Sequence, residues 1–197
     1  MSFPISVIVP LQTKRRPFFE RFCLPTIEIN SPQEIIIIDE EGSAPSKRNK
    51  GAKLAKCPFL FFCDDDVCLG KDCLEKFHTA IKETSYGFTY SDFLWIDLVN
   101  NNSLHHIAKP FSKRDLLEKN YISTMSLLKT ECFCGFRELP KYQDWDLWLT
   151  ISSKFSGYYI PEILYISYII DSGITKSFLP DEELKKQIRQ RHFQFLG

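Results

Sequence analysis

The stretch Pro58-Phe59-Leu60-Phe61-Phe62-Cys63-Asp64-Asp65-Asp66 decides the reading of this chain. An aromatic-rich apolar run, bounded by a proline before it and by charge after it, reads as a buried strand. Three adjacent carboxylates at its end repel one another, and each is costly to bury without a compensating cation. Such an oxygen-rich cluster is a natural ligand set for Mg or Mn, and the ion could in turn hold a diphosphate. The plain alternative is a solvated acidic turn ahead of a helix over residues 71–83. Those three residues alone do not separate the two.

The residues before this stretch supply two more strand ends. Ile5-Ser6-Val7-Ile8-Val9-Pro10 is a β-branched run stopped by proline, which predicts a central, buried first strand. A polar, basic loop over 12–16 follows, then a helix over 17–29 that Pro25 must kink or end. Glu34-Ile35-Ile36-Ile37-Ile38-Asp39 predicts a strand buried on both faces, and strand, helix, strand at this spacing is a parallel βαβ unit. A turn-rich loop over 40–45 leads to a helix over 46–56, whose Ala52, Leu54 and Ala55 offer a small apolar face to the sheet. In α/β folds of this kind, ligands gather at the carboxyl ends of the strands. Three such ends are marked here: Pro10, Asp39 and Asp64 to Asp66.

Downstream, strands are expected over 86–92, 94–99 and 123–128, a capped helix over 112–120, and further strands over 158–161 and 163–168. His105-His106 reads as surface strand or loop, because neighbours on a strand point to opposite faces. Tyr142-Gln143-Asp144-Trp145-Asp146-Leu147-Trp148-Leu149 opens a helix. Positions 144, 147, 148 and 151 share its inward face, and Asp146 points elsewhere. An acid on an apolar face is costly unless it borders a cavity, so Asp144 is a candidate site residue. In the first turn it also gains from the helix dipole. The tail from 181 to 195 reads as a charged amphipathic packing helix.

At 197 residues the chain is long enough for one sizeable core. Its 25 Lys and Arg balance 25 Asp and Glu, so a broad nucleic-acid footprint is not expected and no nucleic-acid partner is assigned. Local basic clusters, Lys14-Arg15-Arg16 and Lys47, Arg48, Lys50, Lys53, Lys56, suit a small anionic ligand. The seven cysteines are odd in number and lack a CxxC pair, which points to buried free thiols in a reducing compartment. A zinc site from Cys132, Cys134 and a histidine is only weakly signalled. No signal peptide and no bilayer-spanning apolar stretch are found, so a cytoplasmic location is expected, with peripheral membrane contact left open.

These pieces resemble the family 2 glycosyltransferases, inverting enzymes with the GT-A nucleotide-sugar-binding fold. The resemblance rests on Ser6-Val7-Ile8-Val9-Pro10, Glu34 to Asp39 with Gly42-Ser43, Arg48-Asn49-Lys50-Gly51-Ala52 and Ala55-Lys56. It continues with Phe62-Cys63-Asp64-Asp65-Asp66-Val67 (the DxD region), Gly135-Phe136 and Asp144 to Leu149. Each piece is weak alone, but their order and spacing agree from about Ser6 to Thr175.

The resemblance implies an α/β GT-A fold, a Rossmann-like central mixed, mainly parallel sheet flanked by helices. It implies one domain over 1–197, with a nucleotide-sugar-binding half at 1–107, an acceptor and catalytic half at 108–175, and a C-terminal helix at 176–197. Pro10 and Leu11 would lie along the nucleotide, largely through backbone. Asp39 would meet the base, Arg48 would help hold the nucleotide, and Asp65 would approach the ribose with Asp64 in support. Asp66 would coordinate Mn or Mg on the diphosphate, and Asp144 would be the general base. The implied activity is a metal-dependent, hexosyltransferase-like transfer from a nucleotide diphosphate sugar, a UDP-sugar first, to a saccharide or lipid-linked saccharide, in glycan or surface-polysaccharide synthesis.

The sequence departs from the family pattern at three places. Gln143 replaces the acid usual before the base. Glu40-Glu41 lengthens the loop after Asp39. Asp171 stands where a late-loop histidine is common, and could still ligate the metal. Nucleotidyl transfer ranks low, since Pro10-Leu11-Gln12-Thr13-Lys14-Arg15 holds no glycine for a phosphate loop. A degenerate module that binds nucleotide or glycan without turnover is the alternative.

Overall fold

A computed structural model describes residues 2–170 and 181–193. In chain order the elements are β1 (Phe3–Pro10), α1 (Arg16–Phe18), a π turn at Phe19–Cys23, α2 (Leu24–Ile29), β2 (Pro32–Ile38) and α3 (Ala44–Leu54). They continue with β3 (Phe59–Phe62), β4 (Val67–Leu69), α4 (Cys73–Ile81), β5 (Phe88–Asp97), β6 (Asn102–His106) and α5 (Lys113–Glu118). The last are β7 (Leu127–Lys129), α6 (Gln143–Ile151), β8 (Gly157–Ile169) and α7 (Asp181–Phe193).

The strands form one sheet in the order β2-β1-β3-β7-β5-β8-β4, with β6 on β5. β2, β1 and β3 are parallel, as the βαβ reading requires. β7 runs antiparallel to both β3 and β5, which returns β5 and its parallel partner β8 to the direction of β1. β4 and β6 run the other way. Among the described residues, β1, β2, β3, β5 and β8 thus share one direction, giving the expected mixed, mainly parallel sheet. The split expectations at 86–99 and 158–168 merge into the long strands β5 and β8, whose ladder carries register shifts around Asp92. A shift absorbs the break that the sequence pattern suggests without ending either strand.

The pleat sorts the core into two layers. Ile5, Val7 and Val9 of β1 and Phe59 and Phe61 of β3 face one side, against Phe19, Cys23, Ile27, Leu74 and Phe77. Ile8, Leu60 and Phe62 face the other, against Leu116, Trp145, Trp148 and Ile188. This is the period-two alternation of a sheet covered on both faces.

Two local expectations are corrected. β2 is an edge strand, so Ile35 and Ile36 are only part-buried and Ile37 is 37% exposed, while Ile38 at the strand end is buried. An isoleucine run specifies a strand but not its place in the sheet. On α3, Leu54 faces solvent, and it is Gly51 that lies against β1: a Cβ there would meet Ile8 Cγ2 at 2.3 Å. That contact turns Lys47 and Arg48 inward, where both are buried.

Asp146 is also corrected. It does not point outward but is 1% exposed, and it fastens α7 to α6. Arg191 Nη1 lies 2.8 Å and His192 Nε2 2.9 Å from Asp146 Oδ1, and Arg137 Nε lies 3.3 Å from Oδ2. Burial would raise its pKa, but His192 and the two arginines outweigh that and hold it below the usual carboxylate value. Removing one partner of a buried charge cluster leaves the others uncompensated. Asp146→Ala is expected to cost about 3–5 kcal/mol in urea denaturation; an unchanged midpoint contradicts this role.

Candidate functional site

The three aspartates leave the sheet beside the tip of β1, because the Cys63 N–H still donates to the Ile8 carbonyl at 2.9 Å. Each acid is then claimed by a different partner. Asp65, 2% exposed, accepts from the Gln12 backbone N–H at 2.6 Å and from Arg15 Nη1 at 3.0 Å. The same Nη1 lies 2.6 Å from Asp66 Oδ2. Asp64 accepts from Arg48 Nη2 at 2.5 Å. Burial raises the pKa of Asp65, with the Gln12 N–H and Arg15 opposing it. Burial and the neighbouring Asp64 charge push Asp66 up to about 7, against the pull of Arg15.

Arg48 connects this tip to α6. Its side chain is 7% exposed, its guanidinium lies 5.2 Å from the Phe136 ring centroid, and Nη1 donates to Gln143 Oε1 at 3.3 Å. Asn49, the next residue on α3, clasps Phe136 through two hydrogen bonds of 2.8 Å, one to its carbonyl and one from its N–H. Asp144 follows Gln143 in the first turn of α6. It is half-buried and accepts from Asn120 Nδ2 at 2.9 Å. Burial raises its pKa, while the Trp145 N–H and the positive charge of Arg48 pull it down.

At the third strand tip, Asp39 is exposed and pairs with Arg16, next in sequence to Arg15. Pro10 and Leu11 are buried, and the Leu11 N–H donates to the Val9 carbonyl at 3.0 Å. The Leu11 carbonyl is fixed by Lys47 Nζ at 2.7 Å. Asp64, Asp65, Asp66, Arg48 and the Gln143-Asp144 turn thus belong to one charge network, with Asp39 at its edge. Asp171 lies outside the described residues. Sequence reasoning did not single out Arg15, Gln12, Lys47 or Asn120; the two basic clusters hinted at Arg15 and Lys47 only as members of a group. A groove of about 680 Å³ lined by Asp72, Glu75, Lys76, Tyr158 and Glu162, among others, contains none of the network.

Among the described residues no three His, Cys, Asp or Glu side chains form a ready-made metal cage. That does not disqualify Mg or Mn, which proteins commonly hold through one or two carboxylates with the rest of the shell from phosphate and water. Burial first, and then the neighbouring Asp64 charge, push the Asp66 carboxyl up to about 7, and a divalent cation beside it would favour its charged form. The donor chemistry fits such an ion.

Because the folded chain holds the Asp66 proton to higher pH than the unfolded chain does, this group's contribution to stability falls as pH rises from about 4 to about 7. In a chelator, Asp66→Asn is expected to melt a few degrees above the parent at pH 8, with the difference closing by pH 5. A lower melting temperature than the parent at pH 8 contradicts the burial argument.

Solved structures place this architecture among the GT-A glycosyltransferases. S. aureus TarS 1-349 in complex with UDP-GlcNAc superposes with a TM-score of 0.70 at 13% identity, covering 99% of this chain and 72% of that one. A second structure, of S. aureus TarS, gives 0.63 at 15% identity, covering 99% of this chain and 43% of that one. The mannosyltransferase PcManGT from Pyrobaculum calidifontis, in complex with GDP-Man and Mn2+, gives 0.61 at 12% identity, covering 98% and 62%. The chain belongs to glycosyl transferase family 2, whose profile matches residues 23–139, more than half its length. The matched span includes Asp39, Arg48 and the three aspartates and stops short of Asp144. No curated protein matches the chain in sequence. No helix among the described residues is long and apolar enough to cross a membrane.

Proposed function

We propose that this glycosyltransferase moves a sugar, with inversion, from a nucleotide diphosphate sugar to an acceptor hydroxyl. The observation that carries the reading is Arg48, which joins the aspartate tip to the Gln143-Asp144 turn and so sets donor-type and base-type carboxylates around one guanidinium. Its Nε is buried with no hydrogen-bond partner among the described residues, a donor suited to an anionic ligand.

In this reading the backbone of Pro10 and Leu11 lies along the nucleotide, Asp39 meets the base and Asp65 approaches the ribose. Asp64 keeps Arg48 in place, and Arg48 faces the nucleotide. Asp66 would hold Mn or Mg, which when bound offsets the charge of the departing diphosphate. Asp144 takes the proton from the acceptor hydroxyl as its oxygen attacks the anomeric carbon from the face opposite the diphosphate. The new C–O bond forms as the bond to the diphosphate breaks, and the nucleotide diphosphate leaves. The sugar carbon passes through an oxocarbenium-like state, and no enzyme nucleophile is needed.

TarS was crystallised with UDP-GlcNAc and with UDP, and PcManGT with GDP-Man and Mn2+. This supports a nucleotide-sugar donor with a divalent ion, UDP-sugars to be tried first. The acceptor assigned is a saccharide or lipid-linked saccharide, met by the half after residue 107.

Screening UDP- and GDP-sugars with Mn by calorimetry and by sugar release finds the donor. With it, Asp144→Asn is expected to keep donor affinity within about twofold while lowering transfer by about 10²–10⁴. Transfer at the parent rate puts the base elsewhere. Since burial raises the Asp144 pKa, parental transfer should fall as pH drops into the acid range, where the base becomes protonated.

A further inference from the structure

Among the described residues, a cation of the protein's own lies between two of the three aspartates. Arg15 Nη1 is 3.0 Å from Asp65 Oδ1 and 2.6 Å from Asp66 Oδ2, and the side chain is 11% exposed. The loop that delivers it is short and well anchored. The Arg15 N–H donates to the Gln12 carbonyl at 2.8 Å, and the Gln12 N–H donates to Asp65 at 2.6 Å. Asp65 is thus held from two directions, whereas Asp66 is held by the guanidinium.

Resting on the reading of Asp66 as the metal carboxylate, we infer that Arg15 is a displaceable internal cation that couples metal binding to donor binding. A divalent ion on the Asp66 carboxylate would sit within a few ångströms of the guanidinium, and two cations so close repel. The metal alone must therefore displace Arg15 from Asp66 against the pull of that carboxylate. Once a diphosphate is present, the guanidinium has phosphate oxygens to move to, and Arg recognises phosphate through the same planar donors it uses for carboxylate. Metal and diphosphate then favour each other's binding, and by linkage the effect is reciprocal. Arg15 is a positioning residue here: it keeps the carboxylates together in the donor-free protein and releases Asp66 when the donor arrives.

The test is Mn2+ affinity, read by calorimetry or by the electron-spin signal of the free ion, with and without saturating UDP. In the parent, UDP is expected to tighten Mn2+ binding at least tenfold. In Arg15→Met, Mn2+ alone should bind at least fivefold tighter than in the parent, and the gain from UDP should shrink at least fivefold. A side chain that only braces the loop would give weaker metal binding on removal, not tighter. Should Arg15→Met fail to fold, Arg15→Lys serves, since a point charge bridges two carboxylates less well; Mn2+ alone should then bind about two- to threefold tighter. Metal-alone affinity that is unchanged or weaker in the variants overturns the role of Arg15 while leaving the metal reading intact. No Mn2+ binding to any of the proteins, even with UDP, overturns the metal reading and the inference with it.

Discussion

Three adjacent carboxylates at the end of a buried strand must be compensated, and much of the site's layout follows from how that is done. Asp64 is held by Arg48 from α3, and Asp65 and Asp66 by Arg15 from the loop after β1. Each guanidinium fixes the element that carries it. Arg15 folds the loop over the tip of β3, and Arg48, turned inward by the close packing of Gly51 on Ile8, reaches the first turn of α6. Charge-assisted hydrogen bonds at buried positions are short and directional, so the strand tips and the helix are registered by chemistry as well as by packing.

The departure at Gln143 makes physical sense in that setting. A carboxylate there would add a further negative charge beside Asp144 and compete with Asp64 for Arg48. The amide accepts from Arg48 and donates to the Leu139 carbonyl at 2.7 Å, holding the turn without changing its charge. The charge of Arg48 is then left to offset Asp64 and Asp144. Asp146, two residues on, serves a different purpose: it is spent on Arg137, Arg191 and His192, tying down α7. Two acids in one helical turn thus divide into one that faces the network and one that secures the fold.

Much of this was legible in the sequence. β1, β3 and the parallel unit they form with β2 followed from β-branched and aromatic runs, and the aspartates announced themselves by being costly where they stand. What the sequence hid was relational. The isoleucine run of β2 reads as doubly buried, but an edge position depends on where later strands insert. Asp146 reads as solvent-facing from helical periodicity alone, because two of its partners, Arg191 and His192, come from α7, at separations of 45 and 46 residues in sequence. Arg15 was visible only as one of three basic residues in a loop, and which of them turns onto the acids is set by a 3₁₀ turn that propensity does not specify.

The central claim is that the tips of β1, β2 and β3 and the first turn of α6 surround one donor site. A crystal structure with UDP and Mn2+ tests it most directly. The diphosphate is expected against Asp66, with the uracil towards Asp39 and the Asp144 carboxylate across the space left for the sugar. A nucleotide bound in the groove between α4 and β8, or with Asp144 facing away from it, would contradict the claim.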